Sequence, residues 1–152
     1  HTDGPATIAW TRIGGQEMVF VSLHLLAYNL WWTKLADIPE VVVQRTASQN
    51  HQVEALLDGL ASENGTVIIG CDCNSYETSN SYRHLIGFMD NAAREAGWLL
   101  NRDNIPGVKQ DLALQHIDYV WYRGGLEPVR VYKVDDRGGS DHEPVLAIFK
   151  IP

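Results

Sequence analysis

The sequence predicts one α/β domain, and three observations support this prediction. The chain has 152 residues, of which 45% are hydrophobic, and this is enough for a single compact domain with a core. An amphipathic helix predicted over Val41 to Ala61 leads directly into an apolar β-branched strand that begins at Thr66. Further strand patterns lie on both sides of this unit. Such alternation of helices and strands is typical of layered α/β domains.

Charge and hydropathy restrict the class of protein. The formal net charge is −7 and the isoelectric point is near 5.2, which argues against a broad basic surface for nucleic acid. A local basic site stays open. No apolar stretch approaches the ~20 residues that a membrane-spanning helix needs. The compartment is undecided from the sequence.

The chain begins with a β-hairpin pattern. Ala6 to Ile13 and Met18 to Leu25 are predicted strands, and Gly14-Gly15 lies in the turn between them. His24 stands near the end of the second strand, where a polar side chain can reach a cleft. A lone histidine at such a place is more often a hydrogen-bonded structural residue than a ligand.

The segment from Leu26 to Glu40 contains Trp31-Trp32 and Pro39. It is too aromatic for a flexible linker and too irregular for a clear helix, so we expect an ordered loop or short helix that packs against the domain. The alternative is an exposed patch for a partner or a membrane surface, because clustered tryptophans at a surface usually mark a contact.

The central strand reads T-V-I-I-G-C-D-C-N-S-Y from Thr66 to Tyr76. Residues i and i+2 of a strand share a face, so Asp72 and Asn74 are expected to point one way and Cys71 and Cys73 the other. The two polar side chains can supply chemistry, or they can simply hydrogen-bond the backbone in an Asx turn. The residues of this strand alone do not decide between these two interpretations.

Cys71 and Cys73 are the two cysteines of the chain. Their spacing does not readily allow an unstrained disulfide, and two thiols are too few for a structural zinc site unless histidines join them. We expect both to be small buried apolar residues.

The second half of the chain alternates short helices and strands. Thr78-Ser79-Asn80 resembles an N-cap cluster, and Asp90 is expected to cap a second short helix. The predicted elements are helices over Ser81 to Met89 and Asn91 to Ala96, a loop over Trp98 to Val108, strands over His116 to Tyr122, Leu126 to Val134 and Val145 to Ile151, and a turn over Gly138 to Pro144.

Six polar residues lie at predicted strand ends or in the adjacent turns, where sheet-based domains build their sites. They comprise three acids, one amide and two imidazoles: His24, Asp72, Asn74, Asp118, Asp141 and His142. Hard oxygen ligands for Mg²⁺ or Mn²⁺, a base for water and donors to phosphoryl oxygens are the groups that metal-assisted phosphoester hydrolysis requires.

Four short motifs give these residues a familiar order. S-L-H-L at 22–25, G-C-D-C-N at 70–74, H-I-D-Y-V at 116–120 and S-D-H-E-P-V at 140–145 resemble the successive motifs of the endonuclease/exonuclease/phosphatase superfamily. Asp-x-Asn alone is a weak signal, whereas Asp-x-Asn followed by I-D-Y and then S-D-H-x-P is highly specific. The resemblance runs from Trp10 to Phe149. It includes two further features, Arg45 with Gln49 or Gln52 on the long helix and S-Y-R-H-L at 81–85.

The resemblance implies a four-layer α/β/β/α sandwich with a mixed or mainly antiparallel sheet and flanking helices, of which this chain is the C-terminal half or somewhat more. It also implies roles for the six residues. Asp72 would orient or deprotonate the attacking water, and Asn74 would help to hold the water and the phosphate. His142, held by Asp118, would bind or protonate the phosphoryl group. His24 would donate to a non-bridging oxygen, and the metal ligands would be Asp141, Asp72 and Asn74.

Three departures from the family pattern matter. Cys71 and Cys73 flank Asp72 where the family usually has Gly-Asp-Phe-Asn, and His116 stands where arginine is common. The N-terminal half of the sandwich, with its asparagine and metal-binding glutamate, is not in this chain. We therefore expect weak metal binding by the isolated chain. We also expect an apolar sheet face, involving Phe20 or Val21 with Ile68 and Val120, that the missing half, in cis or in trans, or a second copy covers.

These inferences predict a Mg²⁺- or Mn²⁺-dependent phosphoric ester hydrolase. The substrate can be a nucleic acid, a phospholipid or a small molecule. The acidic composition and the Trp31-Trp32 segment favour a small or lipid-like phosphoester slightly. The rival hypothesis is a binding or scaffold module that has kept the fold without catalysis.

Overall fold

The computed structural model describes residues 6–97, 108–110 and 113–152, with side chains left out for 108–110 and 113–115. The strands of this part are β1 Ala6–Ile13, β2 Gln16–His24, β3 Thr66–Asp72, β4 Asp90–Asn91, β5 Val108–Gln110, β6 Ala113–Gln115, β7 Asp118–Arg123, β8 Glu127–Lys133 and β9 Val145–Lys150. Its helices are α1 Ile38–Gly59, α2 Asn80–Ile86 and α3 Ala92–Glu95, and two short 3-10 turns, Leu30–Trp32 and Leu35–Asp37, precede α1.

The main sheet has five strands in the order β1-β2-β3-β7-β4. β1 pairs with β2 and β3 with β7 in antiparallel fashion, whereas β2 and β3 run parallel. The parallel pair is possible because α1 makes the long crossover that two parallel strands require. The sheet is mixed, as the sequence predicts.

Helices cover one face of this sheet. Apolar side chains of α1, including Val53 and Leu57, form one core cluster with Val67 and Ile69 of β3 and Tyr82 of α2. α1 begins three residues before the predicted start, with Pro39 in its first turn. Proline is tolerated there because the first amides of a helix have no intrahelical partner.

A second, smaller sheet lies against the other face. Phe20, Ile68 and Val120 of the main sheet pack in a cluster that includes Val145, Ala147 and Phe149 of β9. β9 pairs only with β8 among the described strands. The apolar face that the sequence predicts to need a partner is therefore partly covered from within the chain, because β9 folds back over it. The layers present are helix, sheet and sheet, in agreement with an α/β sandwich.

Two local predictions are wrong. Asp90 does not cap α3, because Asp90 and Asn91 pair with Tyr122 and Trp121 of β7, and it is the Asn91 side chain that accepts from the amides of Ala93 and Arg94. α2 ends at Ile86 rather than Met89. The predicted loop over Trp98 to Val108 lies almost wholly outside the described residues.

Cys71 and Cys73 are buried, as expected, but they are joined by a disulfide, contrary to the prediction. Their Cα atoms are 5.1 Å apart, within the range of disulfides and shorter than the roughly 6.6 Å of two residues along a strand. The chain leaves β3 after Asp72 and turns at Asn74, whose φ is 44°. This turn brings the two cysteines together on the helix-covered face.

Among the described residues, none of the helices combines the length and the apolar character that crossing a membrane requires.

Candidate functional site

Strand register places three polar side chains in one row at an edge of the main sheet. His24 is opposite Asp72 across the parallel pair, and Asp72 is opposite Asp118 across the antiparallel pair. His24 and Asp72 are the last residues of β2 and β3, and Asp118 is the first of β7. Because side chains alternate along strands, the three share the sheet face of Phe20, Ile68 and Val120. The row therefore lies where the two sheets meet.

His142 joins this row from the turn before β9. Its backbone N–H donates to Ser140 Oγ at 3.0 Å, and Gly138 and Gly139, both with positive φ, shape the turn before it. The imidazole Nδ1 lies 3.1 and 3.0 Å from the two carboxylate oxygens of Asp118. It is 3.9 Å from Asp72 Oδ2. A proton on Nδ1 leaves Nε2 as the ring atom that can act on a substrate.

A cleft of about 460 Å³ opens at this edge. Its polar lining comes from both sheets and comprises Ser22, His24, Asp72, Asp118, Ser140, His142 and Glu143. His24 is the most open of its imidazoles, with a side chain 70% exposed and Nε2 3.5 Å from Asp72 Oδ2. Four of the six residues that the sequence selects thus converge: His24, Asp72, Asp118 and His142.

Asn74 and Asp141 do not line the cleft. The side-chain amide of Asn74 donates to the Leu25 carbonyl at 3.0 Å, and its backbone N–H donates to Asp72 Oδ1 at 3.2 Å. Asp141 is exposed in the turn before His142. Asn74 therefore orients Asp72 and ties two loops together. Direct contact of Asn74 or Asp141 with a substrate or metal stays a prediction.

The electrostatics of the site keep a proton between Asp118 and His142. Burial, helped by repulsion from Asp72 and Asp141, raises the pKa of Asp118 in spite of the neighbouring imidazole. Burial works against the charged form of His142, yet the combined attraction of Asp118, Asp72 and Asp141 raises its pKa. An imidazole that stays protonated to higher pH is suited to donate to a phosphoryl oxygen or a leaving group.

Ligand atoms of Asp72, Asp118 and His142 all lie within 4.8 Å of one another. Two carboxylate oxygens suit Mg²⁺ or Mn²⁺, and the imidazole nitrogen is compatible with Mn²⁺. The donor set therefore fits a divalent cation, although Asp72 is the single residue it shares with the predicted ligands. Three anchored ligands are few for Mg²⁺, which needs octahedral geometry.

Gln49 holds the two loops that flank this edge of the sheet. It is buried in α1, and its Nε2 donates to the carbonyls of Leu26 at 2.8 Å and Asn74 at 3.2 Å. Gln52 Oε1 accepts from the amide of Leu26 at 3.1 Å. In the sequence, these glutamines are marked only by the family resemblance. The structure assigns both of them a positioning contact.

Glu143 is a site residue that sequence reasoning missed. It is 3% exposed, and its carboxylate lies 3.0 Å from Lys133 Nζ and 3.9 Å from Arg137 Nε. The amide of Val134 donates to the Pro144 carbonyl at 2.9 Å. These contacts close the turn that presents His142. The available signal was an acid next to His142 within reach of basic residues at the end of β8 and in the turn.

Solved structures share this fold at low identity. A humanized D. rerio TDP2 is 14% identical with a TM-score of 0.67, and the match covers 96% of this chain and 60% of that one. The human nocturnin catalytic domain with bound sulfate is 18% identical with a TM-score of 0.60, covering 95% and 51%. A mannosyl-6-phosphatase from Bacteroides thetaiotaomicron is 15% identical with a TM-score of 0.60, covering 96% and 57%.

The chain thus spans between 51% and 60% of the length of these structures. No curated protein sequence matches it. The model of the Endonuclease/Exonuclease/phosphatase family matches residues 7–142, which include the hairpin, the central strand, β7 and the turn with Asp141 and His142. This chain belongs to the endonuclease/exonuclease/phosphatase family.

Proposed function

We propose that the protein is a divalent-metal-dependent phosphoesterase that hydrolyses its substrate with an activated water molecule. The observation that carries this proposal is the convergence of His24, Asp72, Asp118 and His142 on one cleft. A carboxylate that can activate water and imidazoles that can donate to phosphoryl oxygens are the complement that this reaction needs.

Each residue has a distinct part in the proposed reaction. Asp72, oriented by Asn74, positions the attacking water and takes its proton through the oxygen that faces the cleft. The water oxygen forms the new bond to phosphorus while the bond to the leaving oxygen breaks. His142, held by Asp118, donates its proton to the leaving oxygen, and His24 donates a hydrogen bond to a non-bridging oxygen.

A bound Mg²⁺ or Mn²⁺ would neutralise charge on the phosphoryl oxygens. Asp72, Asp118 and His142 are the described residues that fit such an ion. We include Asp141 as a further ligand, directly or through water, because it is the exposed acid next to His142 in the same turn. The substrate class within phosphoesters is addressed in the next subsection.

The test uses the full-length natural protein with Mg²⁺ or Mn²⁺ and three substrates: bis-p-nitrophenyl phosphate, plasmid DNA and a phospholipid panel. We expect hydrolysis that a chelator abolishes. Asp118→Asn is expected to lower kcat by about 10²- to 10⁴-fold, with little change in KM, because the dyad acts in the transition state. Asp58→Asn, an exposed acid on α1, is the matched control and should leave turnover unchanged.

Absence of metal-dependent hydrolysis of all three substrates would favour the rival hypothesis, a binding or scaffold module. Hydrolysis that Asp118→Asn leaves intact would show instead that the activity arises at another site.

A further inference from the structure

Three large apolar side chains close to one another in sequence are almost fully exposed. Trp31, Trp32 and Leu35 are 82%, 93% and 88% exposed, and they are called the Trp surface below. Isolated apolar residues at a protein surface are common, but adjacent exposed tryptophans usually mark a contact. The sequence prediction that this segment packs against the domain is wrong for these three side chains.

The backbone of this segment is ordered by its own hydrogen bonds. Two 3-10 turns are closed by Thr33 N–H donating to the Leu30 carbonyl at 3.0 Å and Asp37 N–H donating to the Lys34 carbonyl at 2.9 Å. At its start the segment is anchored, because Leu26 bonds Gln49 and Gln52 of α1. The exposed side chains are thus presented by a short structured element.

The Trp surface leaves the sheet at the edge that carries the cleft. The segment begins directly after His24, and the amide of Leu25 donates to the Asp72 carbonyl at 2.9 Å. Trp10 provides a contrast. It is 64% exposed, but it pairs with Val19 in the hairpin and its indole donates to Glu63, so it lies away from the row of His24, Asp72 and Asp118.

Charge distinguishes among the possible occupants. Residues 26–37 contain one cation, Lys34, and one anion, Asp37, in a chain of net charge −7. Stacking of nucleic-acid bases on tryptophan requires a basic groove along the phosphates, which this segment lacks. Indole side chains are enriched at the boundary between lipid headgroups and acyl chains. A neutral, tryptophan-bearing tip therefore matches a zwitterionic lipid surface.

We propose that the Trp surface docks on a zwitterionic phospholipid surface and that the adjacent cleft acts on lipid-borne phosphoesters. The second half of this statement rests on the proposed function, and the first half does not. Docking brings the lipid headgroup layer next to the row of His24, Asp72 and Asp118. The phosphoester to be cleaved is then supplied from that layer.

The test measures binding of the full-length natural protein to phosphatidylcholine vesicles by sedimentation and by tryptophan emission. We expect a blue shift on binding, because indoles enter a less polar environment. Trp31→Ala/Trp32→Ala should lower the partition coefficient at least about tenfold, since two large apolar surfaces are lost. Trp10→Ala, the matched control, should bind like the unchanged protein. Leu35→Ser should weaken binding by a smaller factor.

Four results would overturn the proposal. They are no vesicle binding by the unchanged protein, equal binding by the double variant, protection of Trp31 and Trp32 from the aqueous quencher acrylamide before vesicles are added, and a loss confined to oligothymidine binding. The third would show that other residues of the natural chain cover the Trp surface, and the last would identify nucleic acid as its partner. Vesicle binding without any hydrolysis would disprove the proposed function alone. For an active protein, the double variant should lose hydrolysis of vesicle lipid while keeping that of bis-p-nitrophenyl phosphate.

Discussion

Asp72 divides its two carboxylate oxygens between structure and chemistry. Oδ1 accepts the Asn74 amide at 3.2 Å, as an Asx turn would require. Oδ2 faces His24 at 3.5 Å and His142 at 3.9 Å. The two interpretations that the sequence leaves open for Asp72 therefore both hold, because a carboxylate has two oxygens and the turn at Asn74 uses only one of them.

His116 leads to a prediction about pH. Burial lowers its pKa from 6.5 to about 4, while Glu77, whose carboxylate lies 3.6 Å from Nδ1, opposes this shift. Between these two pH values the unfolded chain binds more protons than the folded one, so stability rises with pH. The contribution of neutral His116 is present above about pH 6.5 and is lost as pH falls towards 4, amounting to at most about 3 kcal/mol.

Urea unfolding of the full-length protein between pH 4 and 7 checks this prediction. His116→Gln, which cannot titrate, should show a flatter dependence of the unfolding free energy on pH. His51→Gln removes an exposed histidine of α1 and should leave the dependence unchanged. Parallel curves for the unchanged protein and His116→Gln would contradict the argument.

At the scale of elements, the turn before β9 depends on a buried ion pair. Glu143→Leu would leave Lys133, whose side chain is 15% exposed, without its nearby partner. The expected loss is about 3–5 kcal/mol of unfolding free energy, because an uncompensated charge stays buried. Lys133→Met/Glu143→Leu should recover much of it, since two apolar side chains replace two charges.

Chemical denaturation of the full-length protein measures these differences, and an exposed pair serves as the control. Lys150 and Glu127 are 3.3 Å apart with side chains 68% and 70% exposed, so Glu127→Leu should cost less than about 1 kcal/mol. Equal losses at the two pairs, or a double variant as unstable as Glu143→Leu, would show that Lys133 and Glu143 do not depend on each other.

At the scale of the whole molecule, the chain has surfaces that look like parts of a larger assembly. Val129, Leu146 and Ile148 expose apolar side chains on the outer face of the β8–β9 sheet, and β9 has no partner besides β8 among the described strands. The chain also spans only 51–60% of similar solved structures. We propose that the residues of a further half, in cis or in trans, or a second copy complete this sheet and cover its face.

This proposal predicts weak metal binding by residues 1–152 alone. Three anchored ligands are too few to dehydrate Mg²⁺ or to hold Mn²⁺ tightly. Calorimetry with Mn²⁺ should show no stoichiometric site for this chain, and supplying the preceding half of the natural protein should restore binding and turnover together. A tight site that Asp72→Asn removes would show that this chain is self-sufficient. Circular dichroism of the isolated chain confirms that the titrated sample is folded.

Local patterns predicted most of the elements. The hairpin, α1, the central strand and the last two strands follow from hydrophobic periodicity and turn residues, which act through nearest neighbours in the chain. Boundaries failed where tertiary contacts compete. Asn91 rather than Asp90 caps α3, because pairing with β7 holds both residues in a strand. The Trp surface was misjudged because apolar composition alone does not show which side of a segment faces the core.

The sequence by itself determined the α/β class, the family and the six candidate site residues, because strand period and motif order are properties of the chain. Only the tertiary structure decided which of the six converge. Register across β2, β3 and β7 aligns His24, Asp72 and Asp118, and the turn before β9 adds His142. The Cys71–Cys73 disulfide, the buried Glu143 and the inward amide of Asn74 also depend on tertiary structure. Each arises from contacts between residues distant in sequence or from a backbone turn that local propensity does not specify.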